Sequence, residues 1–161
     1  MMGIERAADS FLRALNFAFA FLAMLAPAAH VLELPNKLAL DGPLWLAVQQ
    51  HLYRGWGPFL GGPAEIGALA TSLALALARR KNPKALQPTL LACLCYAGML
   101  GAFNLLNAPV NEAVSGWTET ALPADWPDYR LRWEAGHALA AVFSVIAFIA
   151  LLRARRAERV T

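Results

Sequence analysis

The sequence predicts an all-α protein: a bundle of four transmembrane helices with both chain termini cytoplasmic and a short interfacial helix between helices one and two. Three observations carry this. Hydrophobic residues make up 58% of the 161 positions and mean hydropathy is +0.45, above what a soluble domain carries. Four stretches, 14–32, 55–77, 85–110 and 135–152, are nearly free of charge. Each approaches the roughly 20 residues a helix needs to cross about 30 Å of hydrocarbon. Of the 14 Lys and Arg residues, ten gather on one side: Arg6, Arg13, Arg79, Arg80, Lys81, Lys84, Arg153, Arg155, Arg156 and Arg159. Short basic flanks mark the cytoplasmic side, which leaves Lys37, Arg54, Arg130 and Arg132 outside. The basic pI is thus a topology signal, and nucleic acid is not expected as a partner because the basic residues hug helix ends instead of forming a patch interleaved with aromatics.

The first helix is expected over 11–34, kinked at Pro27 and ended by Pro35. Its apolar run passes into Ala-His-Val-Leu-Glu, a poor cleavage site, so it reads as a retained helix and not a signal peptide. Asp41-Gly42-Pro43 opens the interfacial helix, 43–54, with Trp45, Val48 and Leu52 on one face. Helix two, over 57–79, starts either at Gly57 or at Pro63; Glu65 then lies about 12 Å inside the helix or in its first turn. Helix three spans 87–108, with Pro109 disturbing its outer end. Helix four opens at Asp125-Trp126-Pro127 and spans 128–153. The whole chain, 1–161, reads as one membrane domain. Cys93 and Cys95 point to different faces and form no CxxC redox motif.

Polar residues are distributed unevenly. The cytoplasmic halves are apolar apart from Asn16 and Arg13, whereas all three histidines, all five tryptophans and eight of the eleven acidic residues lie at or beyond the outer third. Trp45, Trp56, Trp117, Trp126 and Trp133 read as an aromatic belt. Ionisable groups within hydrocarbon cost about 2.5–3.5 kcal/mol even on insertion scales, so they are expected to face the bundle interior with partners. His30 and Glu33 share a face of helix one, and Arg130, Glu134 and His137 share a face of helix four. Glu65 on helix two and Asn104, Asn107 and Asn111 on helix three lie at similar depth.

Inward Glu and Glu-x-x-His residues on four helices are the ligand pattern of carboxylate-bridged di-metal bundles. A metal held by His30, Glu33, Glu65, Glu134 and His137 is therefore one expectation, with iron, copper or manganese as candidates. The competing expectation is a metal-free polar plug in which Glu33 or Glu134 pairs with Arg130 or Arg132 and the histidines bond the asparagines. His51 reads as an exposed interfacial histidine.

The segments 29–37 (AHVLELPNK), 108–112 (APVNE), 122–126 (LPADW) and 130–137 (RLRWEAGH) resemble the anthrone oxygenase-like family of small four-helix membrane proteins, over nearly the whole chain. That resemblance implies oxidation of an anthrone-like aromatic substrate. Such chemistry needs a base, which His30 or His137 would supply, a cation for the resulting anion, for which Arg130 is the candidate, and a flat pocket contributed by Trp133, Asn107 and Asn111. An electron-rich phenolate meets oxygen without a cofactor, so a cofactor-free reaction stands beside the metal. The expectation is an oxidase or oxygenase of a small apolar aromatic or quinol-like ligand in the inner membrane, its site facing the outer side. The alternative is a non-catalytic subunit or binding protein, alone, as a homo-oligomer or in a larger membrane complex. A transporter is disfavoured by the absence of a polar path through the cytoplasmic half; a polar stripe reaching Arg79 would revive it.

Overall fold

The computed structural model describes residues 2–159, with side chains for 4–158; the side chain of Arg159, counted among the basic residues, lies outside these. It is helical almost throughout. Helix α1 runs Met2–Leu38; α2, Gly42–Ala47, continues into a π-helical turn, Val48–Leu52. A second π-turn, Gly57–Gly61, leads into α3, Gly62–Ala78. Helix α4, Pro83–Ala102, passes through a third π-turn, Phe103–Asn107, into α5, Ala108–Ser115, and α6 runs Trp126–Arg159. Among the described residues four segments are long and apolar enough to cross a membrane: Ile4–Leu38, Gly57–Ala78, Pro83–Ser115 and Trp126–Glu158.

Both ends of the described chain lie at one end of the bundle. Arg79, at the close of α3, bonds Asp9 of α1 and Glu158 of α6, and Arg13 bonds the same two carboxylates. This is the terminal end; the other, carrying the connections 39–56 and 116–125, is the loop end.

One proline expectation is corrected: Pro35 does not end α1, which continues one turn to Leu38. Pro109 does disturb the outer end of helix three, as a π-turn, but the span runs past 108 to Ser115. Lacking an N–H, Pro109 cannot close on the Leu105 carbonyl. The π-turn passes that gap by bonding Ala108 N–H to the Phe103 carbonyl, and Arg132 of α6 donates to the freed Leu105 carbonyl at 2.6 Å. For helix two, the helical path begins at Gly57 as a π-turn before the α-helix proper begins at Gly62.

Small residues set the helix spacing. Ala20, Ala23, Ala64, Ala68, Ala92, Ala140 and Ala147 are buried where the four long helices meet, around Tyr96 and Met99. Such stripes let backbones approach where lipid offers no hydrophobic drive to association. A Cβ at Gly67 would lie 2.6 Å from the ring of Phe19. Above this core, α2 caps the loop end: Asp41 accepts from Leu44 N–H at 2.9 Å, and Trp45 and Leu46 are buried against Val110, Val114 and Trp133. Gln50 fastens the following turn to the carbonyls of Val114 and Trp117 at 2.9 and 3.0 Å. The belt expectation is corrected for two of the five tryptophans: Trp45 and Trp133 are buried inside the protein, whereas Trp56, Trp117 and Trp126 are half-buried.

Candidate functional site

At the loop end the one-turn extension of α1 past Pro35 places His30, Glu33 and Lys37 on one face, at i, i+3 and i+7. Facing it, α6 presents Arg130, Glu134 and His137 at i, i+4 and i+7. The histidine rings meet with centroids 4.1 Å apart. Trp133 packs on both, 4.7 Å from His30 and 4.2 Å from His137, and Tyr53 covers His30 edge-on at 4.6 Å. Trp56 completes this aromatic box, 5.8 Å from His30 and 5.5 Å from Tyr53.

The cation of the layer is Lys37. Its side chain is 4% exposed, and its ammonium lies 3.3 Å from His30 Nδ1 and donates to Glu134 Oε2 at 2.8 Å; Glu134 is itself 5% exposed. The same Nζ stands 5.0 Å from the Trp133 ring centroid and 5.6 Å from that of Tyr53, so the charge is met by a carboxylate and two π-faces. Tyr53 donates its hydroxyl to Glu33, whose carboxylate lies 3.8 Å from His30 Nδ1. Burial and that carboxylate hold the Tyr53 phenol above its ordinary value, so it stays protonated and serves as a donor.

Beside this layer lies a cavity of about 1040 Å³. His30, Tyr53, Trp56, Trp133 and His137 form its polar-aromatic wall, Glu65 faces it from α3, and Gln49, Gln50, Asn104 and Asn111 line it as well. Among the described residues Glu65 makes no hydrogen bond or ion pair. The Gln49 amide nitrogen is likewise buried without a partner. A cavity of this size with convergent polar groups on an aromatic wall has the form of a small-molecule site.

The other expected site residues are placed as follows. Asn107 is buried and donates to the Trp133 carbonyl at 2.8 Å; a Cβ on Gly136 would stand 2.1 Å from its Oδ1, so the glycine makes room for it. Asn111 accepts from Trp133 Nε1 at 2.8 Å and fixes the indole at the cavity wall. Arg130 lies off the cavity: it donates to the carbonyls of Leu40 at 2.9 Å and Lys37 at 3.3 Å, capping α1, and stacks 4.7 Å from the Trp126 ring. His51 is exposed at the cavity rim. The Arg130 or Arg132 pairing foreseen for the glutamates is replaced by Lys37 for Glu134 and Tyr53 for Glu33.

The metal expectation finds no support in this arrangement. Among the described residues no three His, Cys, Asp or Glu side chains gather so as to hold a metal ion. The positive charge between His30 and Glu134 is an ammonium, Glu33 is engaged by Tyr53, and Glu65 stands apart on α3. Among the described residues no polar stripe crosses the bundle either. Asn16 donates to Thr71 and Ser72 at 2.9 Å and Arg79 lies below them, but the layer of alanines, Tyr96 and Met99 separates these residues from the cavity.

Lys37, Tyr53 and Gln49 were not among the expected site residues. Lys37 carried a readable signal, seven residues from His30 and four from Glu33, masked by taking Pro35 as a stop. Tyr53 and Gln49 belong to the expected interfacial helix 43–54 but lie off its Trp45, Val48 and Leu52 face, and nothing in that pattern pointed them at the histidines. Comparison with known families, with curated proteins and with solved structures gives no match.

Proposed function

We propose that this chain is an integral membrane oxidase or oxygenase of a small apolar aromatic molecule, phenolic or quinol-like, which it binds at the loop end. One observation carries the reading: a cavity of about 1040 Å³ whose wall joins two touching imidazoles to an aromatic box. In this reading the ring lies against Trp133, and His137 or His30 takes the phenolic proton. A quinol then passes two electrons to dioxygen and, with loss of its second proton, leaves as the quinone while hydrogen peroxide forms. The electron-rich anion reacts with oxygen directly, so the chain's own residues need only bind, deprotonate and exclude water. Arg130 has no place in this scheme because its guanidinium caps α1 away from the cavity. The ten basic residues flanking the terminal end support a cytoplasmic position for it, and in this reading the cavity faces the outer side of the inner membrane. The likeness to the anthrone oxygenase-like family points to the same class of ring.

His30→Ala and His137→Ala are the test. Quinol-dependent oxygen uptake by the protein in lipid is expected to fall at least a hundredfold in each, with insertion and folding retained. Full activity in both variants sinks the proposal.

A second reading, a non-catalytic binding protein or membrane subunit, is favoured by how many polar groups are already engaged: Lys37 with Glu134, Asn107 with the Trp133 carbonyl, Arg130 with the end of α1. It predicts ligand binding without oxygen uptake, and co-purification with a larger complex.

A further inference from the structure

The cavity wall has two chemically distinct sides. Helices two and three contribute Gly61, Gly62, Ile66, Leu100 and Phe103 beside the polar Asn104, Asn111 and Ser115, and no charged group beyond Glu65. The helices part at this level. The π-turn Gly57–Gly61 packs on α1, whereas the π-turn Phe103–Asn107 packs on α6. Ile66 and Phe103 line the cavity and are exposed, inside segments apolar enough to lie in the membrane. All three π-helical turns among the described residues contribute to the cavity wall. Such turns are uncommon, and they occur disproportionately at functional sites.

From this geometry we infer that the cavity opens sideways into lipid between helices two and three, and that its ligand is an aromatic head bearing a long alkyl tail that leaves through this opening. The inference rests on the reading that the imidazole wall binds a phenolic or quinol ring. A volume of about 1040 Å³ reaches the top of the range for drug-sized ligands, about 300–1,000 Å³, and a single ring would leave most of it empty. The glycines leave the tail's path clear: a Cβ on Gly57 would meet nothing within 4 Å, and one on Gly61 only the Trp56 carbonyl at 3.7 Å. A ring held by the imidazoles with its chain among lipid tails keeps each part in its own solvent.

The test uses full-length protein in nanodiscs, with quenching of tryptophan fluorescence by 2-methyl- and 2-decyl-1,4-benzoquinone, concentrations being referred to the lipid phase. Trp56 and Trp133, in the cavity wall, are the reporters. Wild-type protein is expected to bind the decyl probe at least tenfold more tightly than the methyl probe. Gly61→Leu, at a residue already helical with φ −59°, should abolish that advantage and leave methyl binding within twofold. Gly101→Leu, also in open space but off the cavity, should change neither. Equal affinity for the two probes in the wild type overturns the inference, as does an equal loss of both in Gly61→Leu. If the methyl probe binds in a His30- and His137-dependent way without a tail advantage, ring binding stands and the lateral opening falls. If neither probe binds, both fall.

Discussion

At the terminal end Asp9, Arg13, Arg79 and Glu158 form a ring of ion pairs beside a cavity of only about 20 Å³, whereas the loop end sets His30, Lys37, Glu134 and His137 beside one of about 1040 Å³. In the first layer two acids and two bases each find an opposite charge on another element, and the result is a brace joining α1, α3 and α6. In the second, Lys37 and Glu134 pair, but two imidazoles and the carboxylate of Glu65 look onto space. The residue types are similar. Surplus hydrogen-bonding capacity directed at an open volume is what separates a site from a brace.

The comparison can be broken most forcefully at Lys37. Lys37→Met strands the Glu134 carboxylate, and loss of a buried partner costs about 3–5 kcal/mol. Thermal unfolding in detergent should show that loss, and the double variant Lys37→Met/Glu134→Leu should recover at least half of it. A loss below about 1 kcal/mol would mean that water reaches the pair. Next in size is Gly136→Ala, whose methyl would drive Asn107 off the Trp133 carbonyl at a cost of about 1–3 kcal/mol. Because Trp133 walls the cavity, quinone binding should weaken as well. Asn16→Leu, in the terminal half, removes the bonds to Thr71 and Ser72 for about 1 kcal/mol. It should leave quinone binding unchanged; a binding defect there would show that the two halves are coupled.

The spans were legible in the sequence because hydrocarbon thickness imposes length and low charge on any crossing helix. The facing stripes on α1 and α6 were legible because helical periodicity is strict. What the sequence concealed follows from proline and from local helix geometry. Reading Pro35 as a terminator cut off the turn that carries Lys37, and with it the cation of the layer. Pro109 did announce a disturbance at the outer end of helix three, but not that the helix absorbs it in a π-turn and runs on to Ser115. Arg130 shared a face with Glu134 and His137, but periodicity says nothing of reach, and its guanidinium goes to the carbonyls at the end of α1. Tyr53 enters the site from a connection, where only tertiary structure fixes position.

The bond from Arg132 to the Leu105 carbonyl bears on how the protein is made. A peptide oxygen left open toward lipid costs several kcal/mol, and helix three carries one as soon as Pro109 is in place. Its partner lies 27 residues later in the chain, on α6. Helix three is therefore chemically complete only once helix four has arrived, and the last two helices are suited to leave the insertion machinery together, as a hairpin.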